Sequence, residues 1–273
     1  MSEEIQDIFI SEFDDFKFTG FEQFDNRMDA YILAEDFTQK ERASVTDFLK
    51  GYPEECSLDS EEKIEDQNWN ENWEKTIKPV RVDPFFITPT WSDEYQKLKD
   101  IIPIFIDPKM AFGTGYHETT RLIMRLLPSV VVEGQRVLDV GTGTGILAIG
   151  ALKLGAKSAV GVDIDEWSYD NAIENAERNK VSEKLIIRSG SLEAIPEKEQ
   201  KPFDLVLANI NRNALMQIAG ELVAQVESGG TLVLSGLLYE DEPGILEHDV
   251  YKNLVFQQKM QENDWIALVF KKP

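Results

Sequence analysis

Three glycines spaced by single residues, Gly141-Thr142-Gly143-Thr144-Gly145, follow the apolar run "RVLDV" at 136–140. Glycine at such positions lets the backbone take positive φ and admits a ligand where a β-carbon would stand in the way. A dinucleotide fingerprint would require glycine or alanine at 146, where Ile146 stands. The loop therefore suits a nucleotide-like cofactor that carries no pyrophosphate. Asp163 ends a second apolar run, 22 residues after Gly141. A carboxylate there accepts hydrogen bonds from both hydroxyls of a ribose and repels a 2′-phosphate. Asp165 is better placed to cap the helix that follows, which leaves Asp163 for the ribose. Asn209 closes the run "FDLVLAN". Ligands of open α/β sheets collect at the carboxyl ends of strands, so Asn209 is expected beside the reactive end of the cofactor, with Asn211 and Asn213 free to act as caps. In "RSGSLEAIP", Ser191 or Leu192 is a candidate for framing an adenine edge.

These residues need a scaffold that brings strand ends together. Apolar stretches at 136–140, 158–164, 184–189, 203–209 and 231–236 alternate with helical patterns at 144–154, 166–179 and 212–227. Short apolar strands alternating with helices predict an α/β fold with a parallel, doubly wound sheet. Two further strands, near 254–260 and 264–271, are separated only by "QEND", a connection short enough to require an antiparallel hairpin. Upstream, residues 1–58 read as a small acidic α/β unit, with a helix near 3–15, strands near 19–24 and 28–34, and a helix near 39–50. Residues 59–83 read as a linker helix with Trp69, Trp73 and Ile77 along one face. The catalytic, cofactor-binding domain is expected over 84–273.

Composition narrows the function classes. No apolar run approaches the roughly 18 residues a membrane span needs. The acidic, interrupted start "MSEEIQDIFISEFDDF" is neither a secretory signal nor a transit peptide. A lone cysteine, Cys56, excludes an internal disulfide and a multi-cysteine metal site, and two histidines, His117 and His248, make no histidine-rich metal centre. The expected compartment is the cytoplasm. Net charge is −22, and residues 1–80 hold 22 acidic against 8 basic side chains. Such a surface keeps the chain soluble or attracts a basic protein, and it disfavours nucleic acid, since no basic stripe is visible.

Five parallel strands with a terminal antiparallel pair resemble the class I S-adenosylmethionine-dependent methyltransferases. The stretch "DPKMAFGTGYHETTRLIMRLL" at 107–127, taken with "DQNWNENWEKTIKPV", "GTGTGILAIGALKLGA", "GVDID", "LVLANI" and "LSGLL", resembles the bacterial methyltransferases of ribosomal protein L-eleven (L11) from about residue 59 onward. The resemblance implies transfer of methyl groups from S-adenosylmethionine to amines of L11, either lysine side chains or the N-terminal α-amine. It implies cofactor contacts at Thr120, Gly141, Asp163 and Asn209; Gly143 of the same loop is expected to join them, and Asn209 is expected to be catalytic, its side-chain oxygen accepting a hydrogen bond from the amine and aiming its lone pair. It further implies that Phe112-Gly113-Thr114 and His117 fold over the methionine end of the cofactor. Two departures stand out: Glu118 replaces the proline usual after the loop histidine, and the ferredoxin-like N-terminal domain of the family begins with a strand that this sequence does not display. A different protein or a small-molecule amine as acceptor, and an NAD-dependent oxidoreductase, are the alternative readings.

Overall fold

The computed structural model describes the chain except residues 1, 14–16, 35, 53–55, 64–76, 108, 110 and 197–200. It forms two compact units, 1–67 and 68–273. In the first, α1 (Glu3–Glu12) and α2 (Gln39–Gly51) flank an antiparallel hairpin of β1 (Phe18–Gln23) and β2 (Met28–Ile32). Phe9 and Phe13, one helical turn apart on and just after α1, stack with centroids 4.2 Å apart and meet Phe18 and Phe48 edge-on. Such offset and T-shaped pairs are the arrangements that aromatic quadrupoles favour. α2 begins at a capping box in which the Thr38 hydroxyl accepts the Lys40 N–H and the Glu41 carboxylate accepts the Thr38 N–H. The α-β-β-α order is the inner part of a ferredoxin-like βαββαβ unit. Among the described residues no strand precedes α1.

The second unit continues with β3 (Val80–Val82), β4 (Phe85–Thr88), β5 (Ile102–Phe105), α3 (Glu118–Val130), β6 (Arg136–Val140), α4 (Ile146–Lys153), β7 (Ser158–Asp163), α5 (Glu166–Arg178), β8 (Leu185–Ser189) and β9 (Phe203–Asn209). It ends with α6 (Arg212–Gln217), α7 (Ala219–Ala224), β10 (Val226–Leu238), α8 (Glu242–Leu246), β11 (Val255–Glu262) and β12 (Trp265–Lys271). The large sheet has the order β11-β12-β10-β9-β6-β7-β8. Strands β6 to β10 are parallel, and β12 runs antiparallel to both β10 and β11. Alternate residues go to opposite faces, and both faces are covered. Val137, Leu205, Leu207 and Val233 pack with α3, α4 and α5, whereas Leu138, Val140, Val206, Ala208, Leu232 and Leu234 pack with α6, α7 and α8. From β6 the chain winds outward through β7 and β8, then returns to β9 on the other side of β6. The crevice beyond the carboxyl ends of β6 and β9 is thus the topological switch point, where this class of sheet binds ligands.

Three features differ from the sequence expectations. The helix expected over 59–83 falls mainly on residues 64–76, which lie outside the described residues together with Trp69 and Trp73. At its ends, 57–63 and 77–79 are not helical, and Val80–Val82 is a strand paired with β4, so regular structure of the second unit begins before 84. Strands β3, β4 and β5 form a small separate sheet; they are three or four residues long, and β4 is buried at every position, which leaves no alternation to read. The single helix expected over 212–227 is broken at Ile218, and β10 starts at Val226. The fully buried Tyr251 hydroxyl donates to the Leu215 carbonyl at 2.6 Å, taking the acceptor that a continuous helix would offer to Ala219. Replacing Tyr251 with Phe leaves that buried carbonyl unpaired and is expected to cost about 1–2 kcal/mol, measured as a lower urea midpoint with unchanged m-value.

Candidate active site

The glycine loop joins β6 to α4 at the switch point. Gly141, Gly143 and Gly145 have φ of 70°, 55° and 81°, the left-handed region that glycine enters without penalty. The close approach expected of a ligand is made at two of these positions by the protein itself. A β-carbon on Gly141 would lie 2.3 Å from Ile210 Cγ2, and one on Gly143 would lie 2.2 Å from the Phe112 carbonyl oxygen. The amides of the loop are also turned inward. Gly141 and Thr142 donate to Val162 O, Gly143 to Asp163 Oδ2 at 2.8 Å, Thr144 to Phe112 O at 2.8 Å, and Gly145 to Thr142 O. Each N–H from 141 to 145 therefore has a protein acceptor.

Asp163, at the end of β7, accepts the Gly143 N–H on Oδ2 and the Asp165 N–H on Oδ1 at 3.1 Å. A carboxylate offers about four lone-pair sites, so capacity for two hydroxyls remains. Asp165 caps α5, as expected, accepting from Trp167 and Ser168. Ile164, between the two aspartates, is 81% exposed, and Trp167 is exposed beside it. Neither stood out in the sequence, where a lone apolar residue after a strand carries no signal.

Asn209, at the end of β9, lies next to the fully buried Thr120 in the first turn of α3. Its Nδ2 is 3.5 Å from Thr120 Oγ1, and its buried Oδ1 has no hydrogen-bond partner among the described residues. Asn211, not Asn209, caps α6 through the Ala214 N–H. His117 is the N-cap of α3, where Nδ1 accepts the Thr119 N–H and the ring packs edge-on against Trp265 at 4.7 Å. The structure thus bonds Gly143 to Asp163 and Asn209 to Thr120, and it sets Gly141 against Ile210, the residue after Asn209, where β6 and β9 end side by side.

Phe112 is half exposed, while the backbone of Phe112 and Gly113 is docked on Thr144, whose hydroxyl donates to Gly113 O at 2.7 Å. The Thr144 carbonyl accepts from Asn175 Nδ2 at 3.0 Å. Asn175 escaped the sequence reading, although Asn171, Asn175 and Asn179 recur at helical spacing in "SYDNAIENAERN" on the face that α5 must bury.

Asp139, in the middle of β6 and wholly buried, lies beneath the loop. Its Oδ2 accepts from the Thr142 hydroxyl at 2.8 Å and from the Ala148 N–H at 3.2 Å, and Oδ1 has no partner among the described residues. Burial pushes its carboxyl up to about 7, outweighing the two hydrogen bonds that favour the charge, and nearby Asp163 raises it further. The native state then holds a proton on Asp139 that the unfolded chain releases near pH 4. Stability from this group is present at low pH and is lost as pH rises from about 4 to about 7. Asp139→Asn is expected to flatten this component, seen as a shallower fall in unfolding free energy than wild type in urea titrations across that window.

The chain matches the family model described as ribosomal protein L11 methyltransferase (PrmA) over residues 4–273. A ribosomal protein L11 methyltransferase from Porphyromonas gingivalis is 38% identical, covering 97% of this chain and 90% of its own length. One from Bacteroides fragilis is 40% identical over 76% of this chain and 73% of its own. The crystal structure of a ribosomal protein L11 methylase from Lactobacillus delbrueckii subsp. bulgaricus is similar with a TM-score of 0.65 and 34% identity, covering 72% of this chain and 100% of the other. The family model spans nearly the whole chain and these relatives are each more than 30% identical over most of it: the chain belongs to the ribosomal protein L11 methyltransferase family.

Proposed function

We propose that the protein transfers methyl groups from S-adenosylmethionine to amines of ribosomal protein L11, lysine side chains or the N-terminal α-amine, in the crevice between β6 and β9. The observation that carries this reading is the distribution of unmet hydrogen-bonding capacity. The loop keeps no N–H between 141 and 145 for a phosphate, which argues against a dinucleotide and suits a cofactor without one. At the end of β9, Asn209 Oδ1 is buried without a donor among the described residues, a state that costs about 1–3 kcal/mol unless a ligand supplies one. An ammonium or amine N–H meets that need.

The bound cofactor supplies a methyl group already activated on a positive sulfur, so catalysis is largely positioning for an in-line displacement. Asp163 keeps lone pairs for the ribose hydroxyls, and Gly141 and Gly143 shape the loop beside it. Thr120, fully buried in the first turn of α3, holds the Asn209 amide nitrogen and so fixes where its Oδ1 lies. An acceptor lysine is charged in water, with a reference pKa of about 10.4, and must lose a proton before it attacks. Desolvation in the crevice and a neighbouring positive charge both promote that loss. Asn209 Oδ1 then accepts an N–H of the neutral amine and aims its lone pair.

Incubation with S-adenosylmethionine and recombinant L11, followed by intact mass spectrometry of L11, is expected to give mass gains in methyl-sized steps that vanish without cofactor. Absence of gain from protein that binds the cofactor would move the acceptor to another protein or a small amine. Asn209→Ala is expected to lower turnover at saturating cofactor about 100-fold; wild-type turnover in this variant would remove Asn209 from the chemistry.

A further inference from the structure

The strongest unassigned feature is a row of three buried asparagines on α5 and its C-cap. Asn171, Asn175 and Asn179 are each no more than 1% exposed. Asn179 Oδ1 accepts the Phe105 N–H at 3.0 Å while its Nδ2 donates to Phe105 O at 2.6 Å. Two residues further on, Asn175 Oδ1 accepts the Asp107 N–H at 3.1 Å and Asn171 Nδ2 donates to Asp107 O at 2.8 Å. The side-chain amides thus pair with the backbone of 105 and 107 as a neighbouring strand would. The spacing permits this: four helical residues rise about 6.0 Å and two strand residues about 6.6 Å. Arg178 adds an ion pair to the Asp107 carboxylate at 2.8 Å.

Asn175 does one thing its neighbours do not. Its Nδ2 also donates to the Thr144 carbonyl in the glycine loop and to Asn171 Oδ1. Thr144 in turn holds Phe112 O with its N–H and Gly113 O with its hydroxyl. Asn175 therefore joins the helix that follows Asp163, the segment after β5 and the glycine loop, and through Thr144 it is linked to the residues at 112–113.

We infer that Asn175 is a positioning residue for cofactor binding, setting the spacing of the glycine loop between Asp163 and the Phe112-Gly113 backbone. The inference rests on S-adenosylmethionine being the ligand of this crevice. Asn179 is the matched control, being equally buried on the same helix face and bonded to Phe105 but without a bond to the glycine loop. Full-length wild type, Asn175→Ala and Asn179→Ala are compared by calorimetric titration with S-adenosylhomocysteine and by thermal unfolding.

The two variants are expected to lose similar Tm, since each leaves buried backbone groups unpaired. Only Asn175→Ala is expected to weaken S-adenosylhomocysteine, about tenfold or more, with KM for the cofactor rising in step and KM for the acceptor protein holding. Asn179→Ala is expected to stay within about twofold of wild type. Equal losses of affinity in both variants, or none in Asn175→Ala, would overturn the inference while leaving the methyltransferase reading intact. A wild-type protein that does not bind S-adenosylhomocysteine would overturn both. Should Asn175→Ala not fold, the near-isosteric pair Asn175→Leu and Asn179→Leu removes the same bonds without opening a cavity, and the same comparison decides.

Discussion

Thr144 is fully buried, and all three of its polar groups are taken by two distant parts of the chain. Its N–H goes to Phe112, its hydroxyl to Gly113, and its carbonyl receives Asn175. The rest of the site depends on this residue. A buried polar group left unpaired costs about 1–3 kcal/mol, so three such bonds over-determine the conformation of a loop with positive φ at every second residue. The loop is thereby preformed, with its amides committed to Val162, Asp163, Phe112 and Thr142. What it offers a ligand is shape and the neighbouring carboxylate rather than a nest for an anion. That distinction separates this crevice from a phosphate-binding turn built on a similar strand-loop-helix.

The opposite wall is held by charge. Glu262, at the end of β11, accepts Arg121 at 2.6 Å and also binds Arg125, while Asn263 donates to Glu118 at 3.0 Å. These contacts tie the amino-terminal half of α3, which carries Thr120, to the β11–β12 hairpin. Several charges converging on one half-buried carboxylate hold geometry better than isolated surface pairs, which are worth little alone. His117 belongs to the same structure as a cap packed on Trp265, the first residue of β12. The hairpin thus closes the sheet edge beyond β10 and also fixes the helix that presents Thr120 to Asn209.

Asp139 sets these requirements against each other. It anchors Thr142 and the start of α4 from beneath the loop, and for that it sits where water cannot reach it. Burial favours the neutral carboxyl, whereas its two hydrogen bonds favour the carboxylate. The position is costly in isolation, and it persists because the loop above needs an acceptor at that place.

Much of this was legible in the chain itself. Apolar runs alternating with helical patterns placed β6, β7, β8 and β9 within a residue, because the inner strands, buried on both faces, must be largely apolar and of limited length, and the edge strand β8 still buries one face. The spacing of Gly141, Gly143 and Asp163, and the end of the run at Asn209, placed these residues at the carboxyl ends of β6, β7 and β9, because parallel strands bring their ends to one edge of the sheet whatever the loops do. The partners were not legible. That Ile210 and Phe112 crowd the glycines, that Asn175 reaches Thr144, that His117 packs on Trp265, and that Tyr251 bonds the Leu215 carbonyl are all contacts between segments tens of residues apart. Local patterning reports which face of an element is buried, since that depends on one period along the chain. Which atom lies against that face depends on how the elements cross, and only the tertiary structure decided it.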